Sequence, residues 1–296
     1  MDCAAEPTTI ENRLGRAGGL ATSRDSCLCR PDLPILGLPI LTRSAALLTL
    51  LLQDETVDLE LTSSVVALDP GLAFGTLQAA NLERNGEGEI WQFPLAVVAA
   101  GCDRLQGMVN SALKVESSFA CGTSAKLRQL YVRCVQRACI AELLSNLLGN
   151  ANPKQSYVAG LFFELPGLTN LAGSKNPAFS AALKSALSGS LRGDGLTAAA
   201  GLSTTEEERP RNPIAASVLI ANWLLELPED ENPESSEPIR RLAASPVWEF
   251  WDGCGMHQRR QLLCQGRKLG KWAAANAPRL SPWDFTARLQ RRQSWE

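Results

Sequence analysis

Apolar residues recur along most of this chain at the three-to-four-residue spacing of helix faces, and no stretch sustains strand-like alternation. Leu41, Ala45, Leu48 and Leu52 mark one face of a helix over Ile40 to Gln53. Leu61, Val65, Leu68 and Leu72 carry the next stripe across Asp69-Pro70. An Asp there can cap the exposed amides of a new helix, and Pro suits its first position because no amide is needed. The pair therefore predicts a helix boundary at Asp69, a second helix reaching about Asn81, and a cost of about 1 kcal/mol for Asp69→Ala. Further helices are expected over Pro94 to Asp103, Leu105 to Lys114, and Leu127 to Leu148, the last turning Leu130, Cys134, Cys139, Leu143 and Leu147 to the core. Tyr157 to Leu171 follows, kinked or ended early by Pro166-Gly167. Phe179 to Leu187, Pro213 to Leu227, Ile239 to Phe250 and Met256 to Asn276 complete the series. No fixed-period repeat is present, and the expected fold class is all-α.

Punctuation divides the helices. Residues 1–30 mix Gly, Thr, Ser, Arg and Glu without periodicity and read as a flexible leader. Pro31, Pro34 and Pro39 favour extended backbone, so order is expected to begin there. Asn85 to Gly88 reads as a turn, Ser188 to Arg211 as a flexible loop, and Pro228 to Pro238 as an acidic linker. Residues 277–296 form a basic tail.

Composition narrows the chemistry. With 29 Lys and Arg against 31 Asp and Glu, no overall field draws the chain to nucleic acid or membrane. The basic residues near the end, among them Arg259, Arg260, Arg267, Lys268 and Lys271, read as a solvated helix face without a helix-turn-helix signal. The longest apolar run, Ala45 to Leu52, is too short to span a bilayer, and Met1 to Ala4 lacks the basic start of a signal peptide. A soluble, cytoplasmic protein is expected. The nine cysteines are odd in number and include no CxxC pair, so they read as small buried hydrophobes, with Cys27 and Cys29 the one close pair. The glycine-rich Ser188 to Gly195 lacks the Lys-Ser/Thr ending of a phosphate-binding loop. The single histidine, His257, sits in a polar helix start and reads as a surface residue.

Three blocks, in order, carry a resemblance. The first is Leu33 to Pro39 followed by Asp58 to Asn81, carried by Leu59, Val65, Asp69, Pro70, Leu72, Leu77, Ala80 and Asn81. The second is Ile90 to Gly101. The third combines Leu130 to Cys134 with Tyr157 to Gly167, then Val218 to Pro228. Together they resemble the HDOD domain, a family of bacterial output domains related to the HD phosphohydrolases. The resemblance implies a two-part helical bundle over 31–276, with an N-terminal subdomain over 31–124 and an HD-like subdomain over 125–276. HD enzymes hold divalent metals on helix-borne His and Asp. In the matching positions this chain has Arg133, Phe163, Glu164 and Arg267, so the resemblance implies a vacated metal site, with no cofactor. Arg133 either pairs with Glu164 or both face solvent.

The function so implied is a noncatalytic regulatory or scaffolding domain in bacterial signal transduction, bound to a signalling protein or a small ligand. The alternatives are a metal-dependent phosphohydrolase or nucleotide phosphodiesterase, and nucleic-acid binding through the basic C-terminal region. Candidate structural or interaction residues are Asp69, Pro70 and Asn81, with Trp223, Trp248 and Trp251 either interacting or packed in the core.

Overall fold

The structure, a computed structural model, describes residues 38–53, 57–81, 90–149, 151–164, 212–227, 237–251 and 253–276. The fold is all-α, a two-part helical bundle. The first part comprises α1 (Thr42–Gln53), α2 (Leu59–Ala67), α3 (Pro70–Asn81), α4 (Phe93–Ala100), α5 (Cys102–Ser111) and the single turn α6 (Val115–Ser118). The second is built on α7 (Cys121–Leu148), with α8 (Pro153–Phe162), α9 (Pro213–Glu226), α10 (Glu237–Ala243), a 3-10 turn (Pro246–Phe250) and α11 (Met256–Asn276).

Local chemistry explains the boundaries. Asp58 caps α2 by accepting from the Leu61 amide at 3.1 Å. Asn152 caps α8 through the Lys154 and Gln155 amides, and Asn212 caps α9 through Ala215 N, each with Pro at the next position. α1 starts at Thr42 rather than Ile40. The Ile40 backbone is engaged instead by Leu113 O at 2.8 Å and Val115 N at 2.9 Å, an isolated parallel bridge between Ile40 and Lys114. The break between α4 and α5 falls at Gly101, whose φ of 76° suits glycine, ahead of the expected end near Asp103. α7 begins at Cys121 and α8 at Pro153, both before the first strongly periodic apolar residue. The run Ile239 to Phe250 is split at Ser245-Pro246, where Pro removes a helical donor. Phe179 to Leu187, the loop 188–211, the turn 85–88, most of the acidic linker, the leader and the tail lie outside the described residues.

The core is continuous through both parts. In the first, α4 packs on α2 and α3, and α3 is buried over most of its length. In the second, α7 is the axis that α8, α9 and α11 surround. That enclosure changes which residues of α7 are interior. Leu127, Tyr131, Cys134, Ala138, Ala141 and Leu144 are buried, whereas Leu147 is 49% exposed and Leu130, Cys139 and Leu143 are half-buried. Ser145 on α7 lies 2.6 Å from the Ser156 hydroxyl of α8 and 3.0 Å from that of Ser217 on α9, a buried polar junction of three helices. The two parts meet where Phe74 stacks edge-on against Phe162 at 5.9 Å and the Tyr157 hydroxyl donates to Ala67 O at 2.9 Å.

Trp248 and Trp251 belong to this core, and the Trp248 indole donates to Leu242 O at 2.9 Å; Trp223 is half-buried against it. Trp248 and Trp251 therefore pack in the core, whereas Trp223 keeps part of its surface exposed. Cys134, Cys254 and Cys264 are buried as small hydrophobes, but Cys102 and Cys121 are exposed. Among the described residues no helix is long and apolar enough to cross a membrane.

Helix α8 approaches α7 through Gly160. A Cβ there would lie 2.9 Å from Ala138 Cα and 3.1 Å from Arg137 O, backbone that cannot move aside cheaply. Gly160→Ala is expected to destabilise the fold by about 1–3 kcal/mol through overpacking. Gly107, exposed in α5 with open space around its Cβ position, is the control. Gly107→Ala should stabilise by about 0.5–1 kcal/mol. Urea unfolding of both variants reads the contrast.

Candidate functional site

At the centre of the second part, a cation lies inside the protein. Arg137 sits on α7 with none of its side chain exposed. Its Nη2 donates to Glu164 Oε1, just beyond the end of α8. Its Nε and Nη2 donate to Asn222 Oδ1 of α9 at 3.1 and 2.9 Å. The guanidinium lies 4.8 Å from the centroid of the buried Phe163 ring. Arg133, one turn earlier on the same face of α7, reaches Glu164 at 3.8 Å and Glu226 at 3.9 Å, with 41% of its side chain exposed. Arg133 and Glu164 are thus paired, but the principal partner of Glu164 is Arg137. Burial pushes the thiol of Cys134, between the two arginines, up to about 12 against the opposing pull of Arg137, so it is a poor nucleophile.

The donor set does not fit a divalent metal. The cluster holds two carboxylates, Glu164 and the more exposed Glu226, and the position a cation would take beside Glu164 is occupied by the Arg137 guanidinium. Phe163 offers a ring face and no lone pair. A divalent cation beside the two guanidiniums would be repelled at short range. Among the described residues no three His, Cys, Asp or Glu side chains gather where they could hold an ion. His257 is exposed at the start of α11.

The remaining predicted residues lie elsewhere. Arg267 is on α11, nearly buried, beside Gly266, where that helix packs against Ile140 of α7 and Leu224 of α9. It is not part of a solvated basic face. Arg259 also turns inward, donating to Cys254 O at 2.8 Å and lying over the Trp248 ring. Asp69, Pro70 and Asn81 bound α3. Asp69 is fully buried, and its Oδ1 accepts from Gly71 N at 2.8 Å and Leu72 N at 3.1 Å, which caps the helix. Its Oδ2 accepts from Leu41 N at 2.9 Å, so the same carboxylate also anchors the segment ahead of α1. Burial raises its pKa to about 6, opposed by hydrogen bonds from Leu41, Leu72, Ser44 and Gly71. Asn81 Oδ1 accepts from Ile90 N at 2.8 Å while its Nδ2 donates to Ile90 O at 3.1 Å.

Sequence reasoning missed Arg137 and Asn222. The available signal was spacing: Arg137 follows Arg133 by four residues, so a carboxylate that one can reach lies on the face of the other.

The family model for the HDOD domain matches residues 38–186. Among solved structures, the chain is similar to the MmoQ response regulator of Methylococcus capsulatus strain Bath at 16% identity, covering 77% of this chain and 98% of that one, with a TM-score of 0.53. A structure of a fragment of that regulator aligns at 14% identity over 81% of this chain and 91% of that one, with a TM-score of 0.39. At such identity the first likeness bears on the fold alone. No curated protein sequence matches the chain.

Arg137→Ala removes the partner of a carboxylate held among buried groups and is expected to cost about 3–5 kcal/mol. Arg133→Ala, at a far more exposed pair, should cost less than about 1 kcal/mol. Equal losses in urea unfolding would refute the assignment of Arg137 as the principal partner. For Asp69, the unfolded chain titrates near 3.8 and the folded protein near 6. The folded state binds this proton more tightly, so the contribution is full below about 3.8 and is lost as pH rises through about 6. Wild-type stability should therefore fall relative to Asp69→Asn across that window, and carboxyl NMR should place the Asp69 midpoint near 6. Asp69→Ala should cost several times the about 1 kcal/mol of an exposed cap, because it strands three amides.

Proposed function

Because the chain belongs to the HDOD domain family, we propose that it is a noncatalytic regulatory or scaffolding domain in bacterial signal transduction, working in the cytoplasm by binding a signalling protein or a small ligand. One observation supports this reading: Phe163 and Glu164, the positions that the resemblance aligns with the His-Asp metal pair of HD enzymes, are engaged by the buried Arg137. HD-type hydrolysis needs a metal to polarise phosphate and generate hydroxide near neutral pH. A guanidinium does neither. The name of the MmoQ response regulator supports the signalling side of the reading, since that protein shares the fold. The inward-turned Arg259 and nearly buried Arg267 take two cations away from any nucleic-acid surface on α11.

Elemental analysis of the purified protein is expected to find no stoichiometric metal. Supplying Mn²⁺ or Mg²⁺ should give no turnover of cyclic dinucleotides or nucleoside monophosphates. Metal-dependent turnover abolished by Glu164→Ala would overturn the proposal and establish a phosphohydrolase.

A further inference from the structure

Away from the Arg137 cluster, a pocket of about 370 Å³ opens at the seam between the two parts of the bundle, with α1, α2 and α6 on one side and α7 on the other. Its size lies within the range of small-molecule sites. The lining is graded by depth. Arg43, Glu116 and Arg128 are exposed and form the rim. Leu47, Val65 and Val135 are buried in the inner wall, with Leu68 and Val132 half-buried beside them.

The inner wall selects the occupant. Its hydroxyls have already given their protons: Ser44 to the Asp69 carboxylate, and Tyr131 to Pro39 O. A ligand acceptor held against this wall would leave water and find no donor in exchange. Apolar surface placed there gains by leaving water and needs no partner. The rim charges stay in water and set no requirement on what lies deeper. We infer that this pocket binds a small neutral hydrocarbon-like molecule of about the size of one ring, held between Leu47, Val65 and Leu68 on one wall and Val132 and Val135 on the other. This deepens the proposed function by naming a ligand class, and it rests on the reading of the chain as a binding domain.

The position of the pocket gives such a ligand something to act on. A bound ring touches α1 and α2 of the first part and α7 of the second, so its binding favours the docked arrangement of the two parts by mass action. It also rests against the two hydroxyls that secure the segment before α1. Tyr131 holds that segment directly at Pro39, and Ser44 holds it through Asp69, which accepts from Leu41 N.

Toluene is the probe, titrated into the whole chain by sealed-cell calorimetry and followed by thermal melting. Picoline, kept unprotonated, has the same shape with one acceptor nitrogen, and benzoate exchanges the methyl group for a carboxylate. Toluene should bind saturably and raise the melting temperature, with picoline and benzoate each at least about tenfold weaker. Val132→Phe and Leu68→Trp, at half-buried positions on opposite walls, should fill the pocket. Each should weaken toluene about tenfold or more while leaving the unliganded melting temperature near wild type. If either substitution disturbs folding, the other and the ligand series still decide. Absence of saturable toluene binding, equal binding of picoline or benzoate, or toluene affinity unchanged in both variants would overturn the inference. Such a failure leaves the metal and turnover assays free to stand, and hydrolytic activity would refute the noncatalytic reading without bearing on toluene binding.

Discussion

A guanidinium without exposed surface has to be matched before helices can close around it, and Arg137 imposes that condition on the second half of this fold. Stripping water from such a group costs several kcal/mol, recovered only when charge and hydrogen bonds are supplied at good geometry. The supply comes from two other elements: Glu164 from the end of α8 and Asn222 from α9. Neither can sit elsewhere without stranding the charge. The close approach of α8 at Gly160 brings the backbone of that helix against Arg137 O and Ala138, and so carries Glu164 into range. At the far end of the same interface, the Ser145, Ser156 and Ser217 hydroxyls join the same three helices. Two polar junctions thus fix the register of α7, α8 and α9, with apolar packing filling the distance between them.

The two halves of the molecule use buried acidity differently. Glu164 faces a permanent cation, the buried Arg137 guanidinium. Asp69 has no such partner; backbone amides and Ser44 hold it, and burial dominates its acidity. The first half therefore contains a carboxylate that is sensitive to its surroundings, beside a pocket whose polar lining includes Ser44. The second half contains a buried ion pair instead.

What could be read from the chain depended on how local the physics was. The boundary at Asp69-Pro70 and the caps on α2, α8 and α9 arise from interactions within a few residues, and a cap next to a proline is legible as text. The dual role of Asp69 was not, because Leu41 reaches it from 28 residues away. The interior of α7 was misjudged for a related reason. Choosing a face by aliphatic spacing presumes one buried side, whereas α8, α9 and α11 surround this helix and leave Leu147 at its exposed end. Arg137 was passed over because a charged residue in an amphipathic pattern is ordinarily assigned to water. Arg133 and Glu164 were seen as a possible pair from the resemblance, yet only the packed helices reveal which arginine is interior.

Asn81 has a consequence for how this fold can vary. Its amide pairs with both backbone groups of Ile90, imitating one rung of a sheet with a side chain. The ends of the connection between α3 and α4 are thereby stapled together by the flanking residues themselves. For such a stapled connection, added length enters only through loop-closure entropy, which grows logarithmically. The spacing of the helices on either side is thus set at Asn81 and Ile90.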